Sequence, residues 1–491
     1  MIRYEGRIVQ FGFGAVGKSF YEKAAGEICF DENRYFVITG DPSEFEAYVN
    51  LGGIVSNFLV REVTRENFAQ VFEPYLSEGD LLIDFADTVG TGDLCEWCAR
   101  RNVMYLNTGE ADWPDHWYSI FEENERKNAL KKKYAGSSAE NRHPIVLQHG
   151  CNPGLVSHFV KAAIAYVADT QHRRNRRLKE LVRSGRFPEA ARELGLRMIH
   201  VNDIDLQEIR DSYRRDRLFS TWSPDSFWFE MLSEAAASIG PHEEIDFEEK
   251  CRLTDKEKGY LEFRSPAAQI KGRTFYPGGA FDGFLVPHEE TVSIARSLEI
   301  RENGRAVYRP TVLFLYRPCA YAEAYFRDAR VNDYPNPDPS RPLDCENENG
   351  RTIIRGYVYP ADTEIVYQEK LTSGTEYVGV LLLGEHFEPV WVGNRTEPSF
   401  LYKKKKGSYW QTPTITPVAV SALAAVCWML KNRDRGGIYF PDDIKEYSYI
   451  IKTAEKSISR TIYKTFSKKE LAEALQIDFG RLQVKDLLTA L

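Results

Sequence analysis

The segment Gly12-Phe13-Gly14-Ala15-Val16-Gly17 follows an apolar run, Arg7 to Phe11, and opens a helical one, Val16 to Ala25, with a second apolar run at Tyr35 to Thr39. A G-x-G-x-x-G set placed between strand and helix constrains the backbone at three points. The first glycine permits a tight turn, the second lets the backbone approach a pyrophosphate, and the third lets the helix close on the strand. The helix start at Ala15 and Val16 turns its N–H groups toward the phosphates. The feature predicts the first βαβ unit of a doubly wound sheet that binds a dinucleotide. Asp41 lies just past the second strand, near the offset of about 20 residues at which such sheets carry a ribose-binding acid. A carboxylate there accepts from the 2′-hydroxyl and repels a 2′-phosphate, so NAD rather than NADP is expected.

The alternation continues with strands at Asp80 to Phe85, Val103 to Leu106 and Pro144 to Gln148 and a helix at Asp93 to Asn102. Residues 1–150 therefore read as a Rossmann domain with helices on both faces of a parallel sheet. From Cys151 the rhythm changes to a helix from Pro153 to Val167 and a charged helical stretch from Arg174 to Leu194. Strand-like runs follow at Met198 to Leu206, Phe284 to Ile294, Val307 to Tyr316, Arg355 to Tyr359, Glu376 to Leu383 and Pro389 to Val392, with a loop at Pro335 to Asp344. The expected fold is α/β, with a second α+β domain over 151–415 built on a large, mainly antiparallel sheet. Residues 416–491 read as a helical C-terminal segment whose first helix, Val418 to Leu430, packs on the Rossmann domain.

Charge narrows the ligand class. A net charge of -8 over 491 residues disfavours nucleic acid, and the basic runs His172 to Arg177 and Lys403 to Lys406 are short enough to be solvated faces. The polar start Met1 to Gly6 carries no charged-then-apolar leader and no apolar run is long enough to span a bilayer, so a cytoplasmic, membrane-free protein is expected. The eight cysteines include one C-x-x-C pair, Cys95 and Cys98, with no second pair to complete a zinc site. Reduced, structural thiols and no metal are the reading.

Three further segments carry a resemblance: His149-Gly150-Cys151-Asn152-Pro153-Gly154-Leu155-Val156-Ser157, Ser220-Thr221-Trp222-Ser223 followed by Glu230, and His288-Glu289-Glu290-Thr291-Val292-Ser293-Ile294. With Val307 to Thr311 and Gly379 to Gly384 they resemble bacterial homospermidine synthases, within the saccharopine dehydrogenase-like group, over most of residues 6–445. The resemblance implies a homodimer that uses NAD as a bound hydride carrier to join polyamines, putrescine or spermidine, through an imine. It implies that Trp222 and Glu230 hold a cationic substrate end, that Asp203 stands where the family carries a substrate-binding acid, usually Glu, and that Asn152 and Asp87 lie by the cofactor and the reacting amine. It also makes His288 a proton carrier and Glu230 part of the catalytic set. The family's remaining glutamate falls on Ala111, so either Glu110 or Asp112 takes its place or that contact is missing.

The residue types suit that chemistry. An indole face attracts an alkylammonium by up to about 2 kcal/mol when desolvated, and eight residues from Trp222 to Glu230 are near two turns if the interval is helical. Asp203 and Asp205 alternate and would share one strand face. Asn152 before Pro153 reads as a helix N-cap with proline at the first helical position. Two other functions fit the same motifs. A saccharopine- or carboxyspermidine-type dehydrogenase would need an arginine clamp for its α-carboxylate, from Arg309 or Arg317, and a non-catalytic NAD- or polyamine-binding protein would need no turnover.

Overall fold

The computed structural model describes residues 1–490 except 87–88, 110, 114–118, 136–139, 246–250, 256, 332–344, 349–350 and 399–407. The expected loop at Pro335 to Asp344 and the basic run Lys403 to Lys406 therefore lie outside the described residues. The chain forms two compact units: residues 1–158 with 415–458, and residues 159–414 with 459–491.

In the first unit seven strands form one all-parallel sheet in the order Gly437–Tyr439, Pro144–Val146, Met104–Asn107, Leu81–Asp84, Ile8–Phe11, Tyr35–Thr39, Phe58–Val60. From Ile8–Phe11 the chain moves outward to one side, then returns and moves outward to the other. Right-handed crossovers then place the helices of the two halves on opposite faces. Helix Ala15–Glu27 accordingly packs with Ile415–Lys431, and Thr91–Arg101 with Ile120–Lys133. The central strands Ile8–Phe11, Leu81–Asp84, Met104–Asn107 and Pro144–Val146 are fully buried, the pattern of a sheet covered on both sides. The apolar helix Ile415–Lys431 is buried along nearly its whole length within this unit. Among the described residues no helix is long and apolar enough to cross a membrane.

The second unit is built on an eleven-stranded mixed, mostly antiparallel sheet. Strand Leu196–Asp205 lies at its centre, parallel to Thr311–Arg317 on one side and antiparallel to Glu376–Gly384 on the other. Three local readings are corrected. The run Phe284 to Ile294 is not one strand: strand Gly279–Leu285 ends before Pro287, and Glu289 starts a helix to Ser297. Val307 to Tyr316 is cut at Arg309-Pro310 into Arg305–Tyr308 and Thr311–Arg317, because proline has no N–H for a ladder and the buried Arg309 side chain donates to Ile239 O at 2.9 Å. The tail after Ser457 is not wholly helical, since Ile462–Thr465 and Leu488–Ala490 add strands to this sheet around helix Lys468–Leu475. The charged stretch Arg174 to Leu194 is two helices, Arg176–Arg183 and Phe187–Glu193, turned at Gly185, whose φ is +73°.

A Cβ on Gly17 would fall 2.6 Å from Gly12 O and 2.7 Å from Gln10 Nε2, whereas one on Gly14 would meet nothing within 4 Å. Gly17→Ala should therefore destabilise the protein by about 1–3 kcal/mol, and Gly14→Ala should leave the unfolding midpoint unchanged. Denaturant melts of both variants check the contrast.

Candidate active site

The first unit supplies a cofactor cradle. Gly12, at φ +86°, follows Ile8–Phe11 and turns the chain against Phe85, so close that a Cβ would sit 3.0 Å from that backbone. Gly14 precedes helix Ala15–Glu27 without any side-chain cap, which leaves the N–H groups around Ala15, Val16 and Gly17 for a ligand. The open space at Gly14 and the crowding at Gly12 and Gly17 match the separate tasks that a pyrophosphate loop sets its glycines, and the cradle fits a dinucleotide. Asp41 is exposed just beyond Tyr35–Thr39, and its carboxylate accepts from Ser43 N at 2.8 Å, capping the short turn Pro42–Glu44.

Asn152 lies beyond Pro144–Val146, past the carboxyl end of the sheet. It is not an N-cap: the helix begins at Leu155, and its first amides, Leu155 N and Val156 N, donate to Gly150 O and Cys151 O at 3.0 and 3.1 Å. Loop carbonyls thus do the work assigned to its side chain. The Asn152–Pro153 peptide is cis. Asp87 and Glu110 lie outside the described residues. Asp112 is committed elsewhere, accepting from Arg126 at 3.2 Å and from Trp113 N at 2.9 Å.

The second unit gathers the remaining candidates around strand Thr311–Arg317, where Phe314 and Tyr316 share a face. The His288 ring stacks on Phe314 at 4.2 Å between centroids. Its Nδ1 is hydrogen-bonded to Glu290, and Glu289 stands 3.4 Å from the same nitrogen. Its Nε2 faces Glu230 Oε1 at 3.7 Å. Glu230 reaches this point from the last turn of helix Pro224–Leu232, which is capped by Ser223 and starts with Pro224. Trp222 precedes that cap, so helical spacing does not align it with Glu230. It is held instead by tertiary contacts, donating from Nε1 to the Tyr316 hydroxyl at 3.3 Å and packing on Phe227 at 5.8 Å.

Asp203 and Asp205 do share a strand face, and both are buried. Asp203 pairs across to Tyr316, and Asp205 stands opposite Glu376 on the next strand. Asp205 is satisfied internally, by Gln207 N at 2.8 Å, Gln207 Nε2 at 2.9 Å and Thr221 Oγ1 at 2.8 Å. Sequence reasoning missed Glu376, Glu289, Glu290, Phe314 and Tyr316. The only signals were the two acids after Pro287-His288 and an acid opening the apolar run Glu376 to Leu383.

So many buried acids cannot all be ionised. Burial pushes Glu230 up to about 8; His288 pulls against this, and Glu289, Glu290 and Asp203 add to it. Burial opposes charge on His288, but Glu290, Glu289 and Glu230 together outweigh it and push the ring up to about 10. Burial raises Asp205 to about 6 and, with Asp203 and Asp205 beside it, holds Glu376 well above the carboxylate range. The site is an imidazolium among carboxyl groups whose hold on their protons burial strengthens, Glu230 and Glu376 foremost. His288, Glu289 and Glu290 bring candidate donor atoms within 4.8 Å of one another, a spacing that suits a cation. His288 Nδ1, however, is engaged with Glu290 directly.

Residues 8–142 match the family model described as "Saccharopine dehydrogenase NADP binding domain". The chain is 26% identical to a homospermidine synthase of Mesorhizobium japonicum over 441 residues, 88% of this chain and 84% of that one. It is 27% identical to that of Blastochloris viridis over 464 residues, 90% of this chain and 87% of that one. Among solved structures it is similar to homospermidine synthase from Legionella pneumophila in complex with NAD, with TM-score 0.83, 22% identity and coverage of 100% and 99% of the two chains. Yeast saccharopine dehydrogenase (L-Glu forming) follows at TM-score 0.52 and 11% identity, over 94% and 100%.

Glu290→Gln removes the foremost of the contacts that favour the charged His288 ring. The ring should then titrate lower by at least about one pH unit, equivalent to about 1.4 kcal/mol. Imidazole NMR titration of the variant against the parent protein measures it, and an unchanged midpoint would remove Glu290 as the ring's partner.

Proposed function

We propose that this chain is a homospermidine synthase: an NAD-dependent enzyme that joins two polyamines by redox-neutral aminobutyl transfer, releasing ammonia. The observation that carries this reading is the set of half-buried and buried groups on one strand face, Glu230 and His288 over Phe314 and Trp222 over Tyr316, with Asp203 alongside. It is acidic and aromatic, the chemistry an alkylammonium needs and an α-carboxylate does not. The similarity to two curated homospermidine synthases over about nine-tenths of the chain supports it.

NAD, when bound, would supply the hydride acceptor for the amine-bearing carbon and the hydride donor for the imine carbon. Every other step falls to side chains. Only a neutral amine can expel hydride, so the Glu230 carboxylate takes the proton from the donor's ammonium, a task suited to a group poised near 8. Trp222 holds the cation by its ring face, and Asp203 accepts from an ammonium. The second amine adds to the imine, and the protonated His288 ring gives up a proton to the departing ammonia. Asn152 would orient the nicotinamide or the amine, Gly12, Gly14 and Gly17 would hold the pyrophosphate, and Asp41 would accept from the ribose 2′-hydroxyl.

A saccharopine-type reaction has less support. Arg309, one of its two candidate clamps, is 3% exposed and already bonded to Ile239 O, Glu257 O and Glu299. Cys29, Cys95, Cys98, Cys151, Cys319 and Cys427 are free thiols, in keeping with the cytoplasmic placement that belongs to this reading, as does a homodimeric assembly.

Because Glu230 must be ionised and His288 protonated to act, kcat/KM should rise with pH through about 8 and fall again through about 10. Glu230→Gln should lower kcat/KM by about 10²–10⁴ and flatten the rising limb, with NAD affinity retained. Unchanged turnover would remove Glu230 from the chemistry. With putrescine deuterated at its amine-bearing carbons, homospermidine should keep all donor deuterium and catalytic NAD should suffice. Stoichiometric NADH consumption, or loss of label to free cofactor in every turnover, would overturn the synthase reading.

A further inference from the structure

Gln148 has an environment that folding alone does not account for. It lies two residues past strand Pro144–Val146, with φ +60°, a left-handed backbone that non-glycine residues seldom adopt. The turn is pinned to the neighbouring strand end: Gln148 N donates to Asn107 Oδ1 at 2.7 Å and His149 N to Asn107 O at 2.9 Å. Asn107 is fixed in turn, donating from Nδ2 to Thr91 Oγ1 at 3.0 Å and to Gly109 O at 2.7 Å. The side chain so placed is 1% exposed, yet among the described residues neither its Oε1 nor its Nε2 has a hydrogen-bond partner. Buried polar groups are nearly always paired, and here both halves of one carboxamide are open. Ser157 Oγ, in the first turn of the helix that this loop enters, is likewise buried and open.

The position says what such a group would meet. Gly12 to Gly17 and Asp41 follow strands Ile8–Phe11 and Tyr35–Thr39, on one side of the point where the strand order reverses. A dinucleotide held there by its pyrophosphate and adenosine ribose extends its other half across the carboxyl ends of the strands on the opposite side. Those strands are Leu81–Asp84, Met104–Asn107 and Pro144–Val146, and Gln148 stands just past the last of them.

We propose that Gln148 is the nicotinamide-positioning residue: its carboxamide pairs with that of the nicotinamide, Nε2–H donating to the ring amide's oxygen while Oε1 accepts from its NH₂. The pair satisfies both open atoms at once and fixes the rotation of the ring. This rests on the NAD reading above. Gln148 acts on binding and orientation and takes no part in proton or hydride transfer.

The test compares NADH with ADP-ribose, which lacks the nicotinamide, by calorimetric titration of the full chain and of Gln148→Met. In the variant NADH should bind at least about tenfold more weakly, ADP-ribose should bind as before, and the ligand-free unfolding midpoint should hold or rise because two unpaired buried atoms are gone. Gln148→Gly, which the left-handed backbone accommodates, repeats the comparison should methionine prevent folding. An unchanged ratio of the two affinities would overturn the proposal. So would a lower midpoint with both ligands weakened alike, the mark of a purely structural glutamine. A parent protein that binds neither ligand would refute the NAD reading itself, and this inference with it.

Discussion

Seven consecutive residues of Leu196–Asp205 pair in parallel with Thr311–Arg317, and most of the second unit is arranged around that ladder. A parallel pair needs a long crossover, and here more than a hundred residues intervene between the two strands. That interval contains helix Pro224–Leu232, strand Gly279–Leu285 and helix Glu289–Ser297, which bring Glu230 and His288 to the strand face. The register sets Asp203 beside Tyr316, and the two-residue strand period sets Phe314 and Tyr316 on one side. A slip of one residue would send the aromatic pair to the opposite face and take His288 off its stacking partner.

Electrostatics follow from this packing. Carboxyl groups brought together where water is scarce raise one another's proton affinity, and the His288 imidazolium offsets part of that. The arrangement costs stability, since an apolar cluster of the same volume would fold at least as well. What it provides is a cluster of acids whose hold on their protons a cation placed among them would weaken. The first unit makes a smaller sacrifice of the same kind, leaving a buried carboxamide at Gln148 and an uncapped helix at Gly14 open to a ligand.

The departures from expectation share a physical origin. Asn152 looked like a cap because Asn-Pro favours helix starts, but backbone carbonyls at Gly150 and Cys151 took the amides first. Trp222 and Glu230 looked like neighbours on one helix, whereas Ser223 begins that helix and Tyr316 holds the tryptophan. Phe284 to Ile294 looked like one strand because its apolar residues run on past Pro287, where Glu289 and Glu290 in fact open a helix, their charge suited to its N-terminus.

Sequence by itself determined the glycine turn, the parallel strands around it, Asp41 beyond the second strand and the alternation of Asp203 with Asp205. Each is a local consequence of spacing, backbone freedom or two-residue period, and none needs a distant partner. Only tertiary structure decided that Glu376 would stand opposite Asp205, that Phe314 would lie beneath His288, and that the last thirty residues would return to the second sheet while Gly437–Tyr439 closes the first. Those are pairings between segments far apart in the chain. They are chosen by which strands bury the most apolar surface together with satisfied backbone groups, a competition over the whole fold that no single window of sequence contains.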